Sequence, residues 1–432
     1  MVETRMPSSP LNDMTNTSSN FQITGPRLYM DNAATSFPKP KAVHEAMMHF
    51  ATQLGASPGR GAYAEAREAG RLMNLCRERL CQLIGADVSK PEQMIFTLNT
   101  TDGLNMAIRG IVGYAIAKNT TGEDKPHVIT TWMDHNSVLR PFNALAANKD
   151  IEQTRIQCDP QTGLVDPDDI KQAIRPNTVL IAVVHGSNVT GTVQPIAQIG
   201  QIAKENDIPF LVDAAQTIGH MPVDIEQANI DLLAFPGHKG LLGPLGTGGL
   251  YIRPGIENRM ITAKEGGTGS VSEQDTQPGF MPDRFEPGSH NAIGIIGLSE
   301  GVKYILDKGI DQIWEHEQGL IRMMIEGVSE HVTMPGMTWY GPQSVKNRCG
   351  VFSFRVQGYD QPQTLSDALE SRYGILTRSG VHCAPLAHQT FGTHDLGGMT
   401  RFSFGPFLST QDVKYAADAL GQICLETQSA VK

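Results

Sequence analysis

Residues 209–216 read Pro-Phe-Leu-Val-Asp-Ala-Ala-Gln, and residues 235–240 read Phe-Pro-Gly-His-Lys-Gly. The first stretch is a short apolar run that stops at an acid, Asp213, and the second places Lys239 on a glycine-rich loop after another apolar run. Short apolar runs bounded by turn residues are typical of buried strands. The two stretches therefore predict two buried strands, one that ends at an acid and one that leads into a loop with a lysine.

Similar apolar runs precede and follow these two along the chain. They predict strands at Gln93–Leu98, His127–Trp132, Thr178–His185, Pro209–Asp213, Asp231–Phe235 and Gly248–Ile252. Amphipathic stretches such as Pro195–Asn206 lie between them, with apolar residues at helical spacing. Because strands and helices alternate, we expect an α/β fold with a mostly parallel sheet covered on both faces.

The composition changes between residues 256 and 290, which are rich in Gly, Pro and polar residues and predict a long loop or a domain crossing. The segments that follow predict an α+β unit, with helices and strands at Ala292–Lys308, Asp311–His331, Val351–Val356, Gln363–Tyr373, Gly398–Phe404 and Thr410–Glu426. We therefore expect a disordered tail over residues 1–27, a large domain over 28–290 and a small domain over 291–432. The first segment of the large domain is a candidate to join the small one.

The bulk composition narrows the class of function. The 432 residues have a net charge of −10, which argues against nucleic acid or an anionic membrane as the main partner, and no apolar run approaches the length of a membrane span. The first 27 residues are polar and lack the apolar core of an export signal. Six cysteines without a Cys-x-x-Cys pair predict neither a disulfide framework nor a metal site, and they favour a reducing cytoplasm.

Polar clusters follow five of the predicted strands directly. They are residues 99–103, 133–136, 186–188, 213–216 and 236–239. In open α/β sheets, ligands bind beyond the carboxyl ends of the strands. Five clusters at this edge predict a ligand site there more strongly than any single motif does.

Lys239 and Asp213 favour a pyridoxal phosphate (PLP) site. A lysine amine can form a Schiff base with an aldehyde, and a carboxylate can keep a pyridinium nitrogen protonated so that the ring withdraws electrons. The plainer alternatives are a solvated loop lysine and an aspartate that caps the next helix. The glycines around Lys239, which leave room for a ligand, favour the PLP interpretation.

The other clusters supply candidate contacts to the same cofactor. Thr100 and Thr101 open a helix, where hydroxyls and free backbone N–H groups bind phosphate, although a simple helix cap has the same sequence. His238 and Ser289 are weaker phosphate candidates. His135 is a candidate to lie flat on the pyridine ring, or else it is an ordinary hydrogen-bonded loop histidine.

Two amide side chains complete the candidate cofactor site. Asn188 and Gln216 can hydrogen-bond the phenolic oxygen of the ring, and each could equally be a turn residue.

A second reactive group lies far down the chain, at Cys383 in Leu-Thr-Arg-Ser-Gly-Val-His-Cys-Ala. Arg378 and His382 bring positive charge near this thiol, which favours the thiolate form, whereas a buried inert cysteine is the plainer alternative.

Arg401 lies within a strand pattern. It either faces solvent or presents its planar guanidinium to a substrate carboxylate.

At this point the chain resembles the class V aminotransferase-type PLP enzymes, in the branch of cysteine desulfurases and selenocysteine lyases, from about residue 28 to the C-terminus. The similar motifs are Tyr29–Thr35, Asn99–Gly103, His135, His185–Thr192, Asp213–Gln216, Gly237–Lys239, Phe285–Ser289 and Arg378–Ala384, the last being similar to the cysteine loop of group II desulfurases.

The resemblance implies a fold-type I PLP enzyme, with a mostly parallel seven-stranded sheet in a large domain and a smaller α+β C-terminal domain. Its implied activity is conversion of L-cysteine to L-alanine, with a persulfide on Cys383 that passes to a sulfur acceptor, for which a protein is expected. Implied substrate contacts are Asn32, Asn188, Arg378 and Arg401. The loop at Ser289 implies a homodimer, because it resembles one that reaches the phosphate of the neighbouring subunit.

The chain departs from the family pattern at several positions. Pro236 stands where a Ser or Thr is usual, Tyr63 and Val381 stand where histidines are usual, and Ser289 replaces a threonine. Selenocysteine lyase, another class V reaction on an amino acid, and a non-catalytic scaffold that keeps the fold stay open as alternatives.

Overall fold

A computed structural model of the protein describes residues 27–59, 61–119, 124–330 and 336–431. The tail predicted over residues 1–27 lies, apart from Arg27, outside the described residues. No helix among those that the structure describes is long and apolar enough to cross a membrane.

The strands within the described ranges are β1 (Leu28–Tyr29), β2 (Met94–Thr97), β3 (His127–Thr131), β4 (Glu152–Ile156), β5 (Thr178–Val184), β6 (Phe210–Asp213), β7 (Leu232–Pro236), β8 (Gly248–Ile252), β9 (Met337–Tyr340), β10 (Val351–Val356), β11 (Ile375–Leu376), β12 (Arg378–Gly380) and β13 (Met399–Ser403). Every strand predicted from an apolar run is present, with ends that lie within one residue of the predicted ones. The predicted strand ends therefore lie close to the residues at which the polar clusters begin.

The helices of the same ranges are α1 (Lys41–His49), α2 (Ala64–Leu83), α3 (Thr100–Lys118), α4 (Asn136–Ala147), α5 (Pro167–Ala173), α6 (Ile196–Glu205), α7 (Ala292–Lys308), α8 (Ile310–Glu330), α9 (Pro362–Tyr373), α10 (Pro385–Thr390) and α11 (Thr410–Val431). A π-helical turn at Phe50–Leu54 follows α1, and short 3₁₀ turns lie at Pro91–Gln93 and Ile256–Arg259. Helix α7 has the bounds that its apolar spacing predicted.

Seven strands of the described chain form one sheet in the order β2-β8-β7-β6-β5-β3-β4. All neighbours in it are parallel except those of β8, which runs antiparallel to both β2 and β7. Two apolar clusters cover it: alternate β6 residues enter each, with Phe210 and Val212 in one and Leu211 in the other. Since side chains of a strand alternate between faces, both faces of the sheet are buried, and the predicted α/β fold with a mostly parallel seven-stranded sheet is confirmed.

Strand β4 escaped the sequence prediction for a physical reason. It is an edge strand with one parallel neighbour, and its residues Glu152 to Arg155 are exposed or half-buried. A strand that is not buried on both faces needs no apolar run, so its sequence lacks the signal that revealed its neighbours.

The C-terminal part of the chain forms a smaller four-stranded sheet in the order β12-β13-β10-β9 within the described residues. Helices α8, α9 and α11 pack on it through a third apolar cluster that includes Phe352 and Phe402. Strand β1 pairs in parallel with β11, so the start of the described chain lies against this smaller unit. The domain boundary at residue 290 stays a prediction.

Candidate active site

A cavity of about 130 Å³ lies at the carboxyl ends of β5, β6 and β7 and the start of α3. We call it the lysine cavity; its lining residues are Asn99, Thr100, Thr101, His135, Ser137, Val184, Gly186, Asn188, Asp213, Ala215, Gln216, Pro236, His238 and Lys239. Eight of the nine predicted cofactor contacts are among them, and the exception is Ser289. The parallel strands therefore gather at one edge the side chains that the sequence spreads over residues 99–239.

Lys239 is the amine of this cavity. Burial lowers the pKa of its ammonium group to about 8; the nearby Asp213 carboxylate opposes this shift, whereas Arg401 and Arg378 reinforce it. A lysine amine that loses its proton near pH 8 is neutral, and hence nucleophilic and basic, in a much larger fraction at physiological pH than an ordinary lysine.

Asp213 is the acid of the cavity and ends β6, with 2 % of its surface exposed. It accepts a hydrogen bond from the backbone N–H of Ala215 at 2.9 Å. Burial raises the pKa of its carboxyl group to about 6, against the smaller opposing effects of that hydrogen bond and of the Lys239 charge. A buried carboxylate with one such bond is stabilised by a cationic partner in the cavity.

His135 is held in place by its neighbours on both sides. It caps α4, where its Nδ1 accepts from the backbone N–H of Ser137 at 3.1 Å. The preceding Asp134 is fully buried and ties the end of β3 to β5, because its carboxylate accepts from Thr130, Thr131 and the N–H of Val184. His135 therefore projects from a fixed turn.

The charge state of His135 follows from its surroundings. Burial lowers its pKa to about 4, and the positive charges of Lys239, Arg140 and Arg378 add to this. The ring is therefore neutral at neutral pH and can lie against a flat, electron-poor ring without charge repulsion.

Hydroxyl groups gather at the start of α3. Thr100 and Thr101 begin the helix, and Asn99 caps it by accepting from the N–H of Asp102 at 3.1 Å. Thr101 Oγ1 lies 2.7 Å from Ser137 Oγ, a residue that the sequence reasoning missed. The signal for Ser137 was its position in the first turn of the helix after His135, since parallel strand ends place such turns side by side.

Two buried polar atoms that line the lysine cavity have no hydrogen-bond partner among the described residues: Asn188 Oδ1 and His238 Nδ1. An unsatisfied buried polar atom costs about 1–3 kcal/mol, so such atoms are rare unless a ligand pairs with them. The cavity is therefore built for a polar ligand.

Arg401 lies in β13 with 2 % of its surface exposed. Its Nη1 donates to the backbone oxygen of Asn188 at 2.9 Å, and its Nη2 donates to Asp31 Oδ1 at 2.7 Å. The carboxylate of Asp31, which the sequence reasoning did not single out as a contact, orients the guanidinium, while Nε has no partner in the described chain.

Asn32 lies next to this pair but does not line the lysine cavity. Its amide donates to the backbone oxygen of Ser403 at 3.3 Å and accepts from the N–H of Phe37 at 3.2 Å. The structure thus gives Asn32 contacts that hold the N-terminal segment against β13, and its predicted substrate contact stays a prediction.

Cys383 is exposed and lies on a loop that is held by hydrogen bonds to two of its backbone oxygens. Its backbone oxygen accepts from the N–H of Asn136 at 2.8 Å, and the oxygen of His382 accepts from Asn188 Nδ2 at 2.6 Å. His382 and Cys383 both have left-handed backbone angles, with φ of 48° and 59°. These angles are uncommon for residues other than Gly, and here the contacts to Asn136 and Asn188 hold them.

The Cys383 side chain lines a second cavity of about 380 Å³, which we call the cysteine cavity. Its lining residues are Thr101, Asn105, Arg109, His135, Asn136, Ser137, Arg140, Pro141 and Cys383. Thr101, His135 and Ser137 line both cavities, so the two adjoin. Cys383 is therefore an exposed residue of the space that adjoins the lysine cavity.

Burial separates Cys383 from the five other cysteines. Desolvation raises the pKa of each of those thiols, to about 11 or 12, at Cys76, Cys81, Cys158, Cys349 and Cys424. A thiol with so high a pKa is almost wholly protonated at neutral pH and is a poor nucleophile.

Four predicted site residues line neither cavity: Asn32, Ser289, Arg378 and Arg401. Ser289 lines a separate surface pocket with Phe50 and Gly288, so within one chain it does not meet Lys239. Arg378 is exposed in β12, paired in register with Arg401. Its charge still acts on Lys239 and His135.

The departures from the family pattern fall in different places. Pro236 ends β7 and lines the lysine cavity, so the cavity has no hydroxyl there. Tyr63 caps α2 and is more than half exposed, and Val381 is exposed beside the Cys383 loop. Only the first of these changes the wall that faces Lys239.

The pKa of Lys239 gives a direct prediction. In the cofactor-free protein, Lys239 should be reductively methylated by formaldehyde with a rate that rises through a midpoint near pH 8, because the neutral amine is the reactive form. A blocked model lysine should have its midpoint at the ordinary lysine pKa of about 10.4. Peptide mass spectrometry measures both, and a midpoint for Lys239 near that of the model compound would contradict the burial argument.

Comparisons with known proteins bear on this site. The family model for aminotransferase class V matches residues 28–416. A probable cysteine desulfurase of Methanothermobacter thermautotrophicus is 33 % identical over 92 % of this chain and 94 % of its own length, and the cysteine desulfurase IscS of Dictyoglomus turgidum is 32 % identical over 92 % and 94 %. The apo structure of a cysteine desulfurase from Thermococcus onnurineus NA1 matches 93 % of this chain and 95 % of its own, with a TM-score of 0.83 and 32 % identity.

Proposed function

The chain belongs to the class V aminotransferase family and, within it, to the cysteine desulfurases, and on this premise we propose that Lys239 and Cys383 are the two reacting groups of a PLP-dependent cysteine desulfurase. The observation that supports this most strongly is the shared wall of the two cavities. Through Thr101, His135 and Ser137, the amine and the thiol face adjoining spaces although 144 residues separate them in the sequence (383 − 239).

The residues of the lysine cavity fit PLP. The unpaired Asn188 Oδ1 and His238 Nδ1 offer hydrogen-bond partners to polar groups of a ligand, and Asp213 offers a carboxylate to a protonated ring nitrogen. Thr100, Thr101 and Ser137 line the cavity where a phosphate would bind at a helix start. When bound, PLP supplies an electron-withdrawing ring that stabilises negative charge at the Cα of an amino acid.

The chain's own groups bind the substrate and move its proton. We propose that Arg401, held by Asp31, binds the substrate carboxylate together with Asn188, and that Arg378 assists from β12. The neutral Nζ of Lys239 then accepts the proton from the substrate Cα. His135, being neutral, covers the ring and helps to exclude water.

Cys383 takes the sulfur. Its thiolate attacks the substrate sulfur, so that the Sγ–S bond forms as the substrate C–S bond breaks and the electron pair of that bond stays with the carbon. Protonation of Cβ and return of a proton to Cα give alanine, and Cys383 becomes a persulfide. L-Cysteine and one protein thiol are thereby converted to L-alanine and one protein persulfide, without an outside oxidant or reductant.

The subunit arrangement and the fate of the sulfur complete the proposal. Ser289 is outside the lysine cavity of its own chain, which supports a homodimer in which it reaches the neighbouring subunit's phosphate. The exposure of Cys383 supports transfer of its sulfur to an acceptor protein, and a reducing cytoplasm is the compartment we propose.

A single-turnover experiment tests the reaction. The purified protein is mixed with less than one equivalent of L-cysteine in the absence of any thiol acceptor. We expect one alanine per cysteine consumed, and a tryptic peptide containing Cys383 that is heavier by one sulfur atom. Alanine formed without added mass at Cys383, or added mass at another cysteine, would contradict the assignment of Cys383.

A further inference from the structure

The cysteine cavity has a charge pattern that the desulfurase reaction does not use. Thr101, Asn105 and Arg109 are spaced four residues apart, so they share one face of α3, and Arg140 faces them from α4. The lining contains two arginines and, among the described residues, no aspartate or glutamate. The opening beside Cys383 is thus positive in a chain whose net charge is −10.

These two arginines also lack the partners that many other surface arginines have. Arg175 pairs with Glu152 at 2.6 Å and Arg372 with Glu426 at 2.7 Å, but neither Arg109 nor Arg140 has a carboxylate within ion-pair distance in the described part of the chain. Arg109 donates instead to the neutral Asn105 Oδ1 at 3.2 Å. Their charges are therefore available to a group that enters the cavity from outside.

From this arrangement we infer that the cysteine cavity binds the sulfur-accepting segment of a protein in which the receiving cysteine stands beside aspartate or glutamate side chains. This rests on the proposed function, because Cys383 must first hold the sulfur. A cavity of about 380 Å³ has room for a few side chains of an extended segment, and the thiol at its wall is the group that such a segment must reach. The rest of this acidic chain repels an acidic protein, whereas the cavity attracts it. Charge complementarity therefore directs such a partner to the cavity.

The transfer step balances within the two thiols. The acceptor thiolate attacks the outer sulfur of the Cys383 persulfide, and a new sulfur–sulfur bond forms on the acceptor. The bond to Cys383 Sγ breaks with its electron pair, which returns Cys383 as a thiolate. Arg109 and Arg140 hold the flanking carboxylates, so that the acceptor thiol is near the outer sulfur.

The test uses acceptors that differ only in charge. Holoenzyme is first loaded with one sulfur from L-cysteine, and loading of Cys383 is measured by mass for every variant. N-acetylated, C-amidated tripeptides Glu-Cys-Glu, Gln-Cys-Gln and Lys-Cys-Lys are then added at equal thiolate concentrations, and peptide persulfide is followed by mass spectrometry. At low salt we expect the acidic peptide to react about 5- to 20-fold faster than the neutral one, with the advantage shrinking as salt screens the charges.

Variants assign the preference to this cavity. The double substitution Arg109→Gln with Arg140→Gln should bring the acidic-to-neutral ratio close to one, and Arg140→Glu should favour the basic peptide. The matched control is Arg322→Gln, which removes the same charge from an exposed position of α8 and should leave the ratio unchanged.

Each outcome decides a different claim. Equal rates for the three peptides, or a ratio that survives the double substitution, would overturn the acceptor site while leaving the desulfurase assignment intact. Failure of Cys383 to load would overturn the proposed function instead. If mercaptosuccinate, a small thiol with two carboxylates, accepts sulfur as fast as the acidic peptide and depends equally on the two arginines, the partner is a small molecule and not a protein segment.

Discussion

Replacement of Lys239 with alanine should lower kcat/KM for alanine formation from L-cysteine by about 10⁴-fold or more, because in the proposed mechanism one side chain supplies both the amine that links the cofactor and the base that takes the Cα proton. Both roles need a neutral amine, and burial next to Arg401 and Arg378 provides it by lowering the pKa of Lys239 to about 8. Among the described residues that line the lysine cavity, no other side chain is an amine.

Two measurements separate loss of chemistry from loss of structure. The visible absorbance of purified wild-type protein should disappear from Lys239→Ala after dialysis, while the far-UV circular dichroism and the melting temperature of the cofactor-free proteins stay close to each other. Lys171→Ala is the matched control, since Lys171 is exposed on α5, away from both cavities. Substantial alanine release by Lys239→Ala would remove this residue from the mechanism.

Replacement of Cys383 with alanine should lower alanine formation from L-cysteine by about 10²- to 10³-fold and should remove the protein-bound persulfide altogether. The reason is that the C–S bond of the substrate then has no nucleophile to receive its sulfur. Because Cys383 is exposed and its side chain lines the cysteine cavity, truncation should leave the lysine cavity intact. Cofactor absorbance should therefore match wild type, unlike that of Lys239→Ala.

Cys158→Ala is the control for this substitution. Cys158 is half-buried, and burial raises the pKa of its thiol to about 12, so it has no role as a nucleophile. Sulfur from labelled cysteine should stay bound to the Cys158→Ala protein and should be absent from the Cys383→Ala protein. Full cysteine turnover by Cys383→Ala would rule out the persulfide route.

The strands of the large sheet were predictable because they are buried on both faces. Phe210 to Val212 and Leu232 to Phe235 are apolar runs with no alternation, and each stops where the ligand site begins. The edge strand Glu152–Ile156 was missed because partial exposure removes that signal. Sequence patterns thus located the strands whose burial on both faces requires apolar side chains throughout.

The site residues divide in the same way. Lys239, Asp213 and His135 follow strands of the same parallel sheet, and strand ends at one edge converge whatever the loops do, so sequence alone placed them together. Ser137 and Asp31 were missed because their roles depend on neighbours from other elements. Ser137 contacts Thr101 across two helix starts, and Asp31 contacts Arg401 from the far end of the chain.

The α/β fold and the family could be predicted from local sequence patterns, and the same patterns singled out Lys239 and Asp213 as the proposed cofactor contacts. Three other features became visible only in the folded chain: Asp31 holds Arg401, Ser289 lies away from the lysine cavity of its own chain, and Cys383 lines a second cavity together with Arg109 and Arg140. The physical reason is one of range. Hydrophobic periodicity and strand-end motifs are local, whereas these contacts join segments that the chain brings together only on folding.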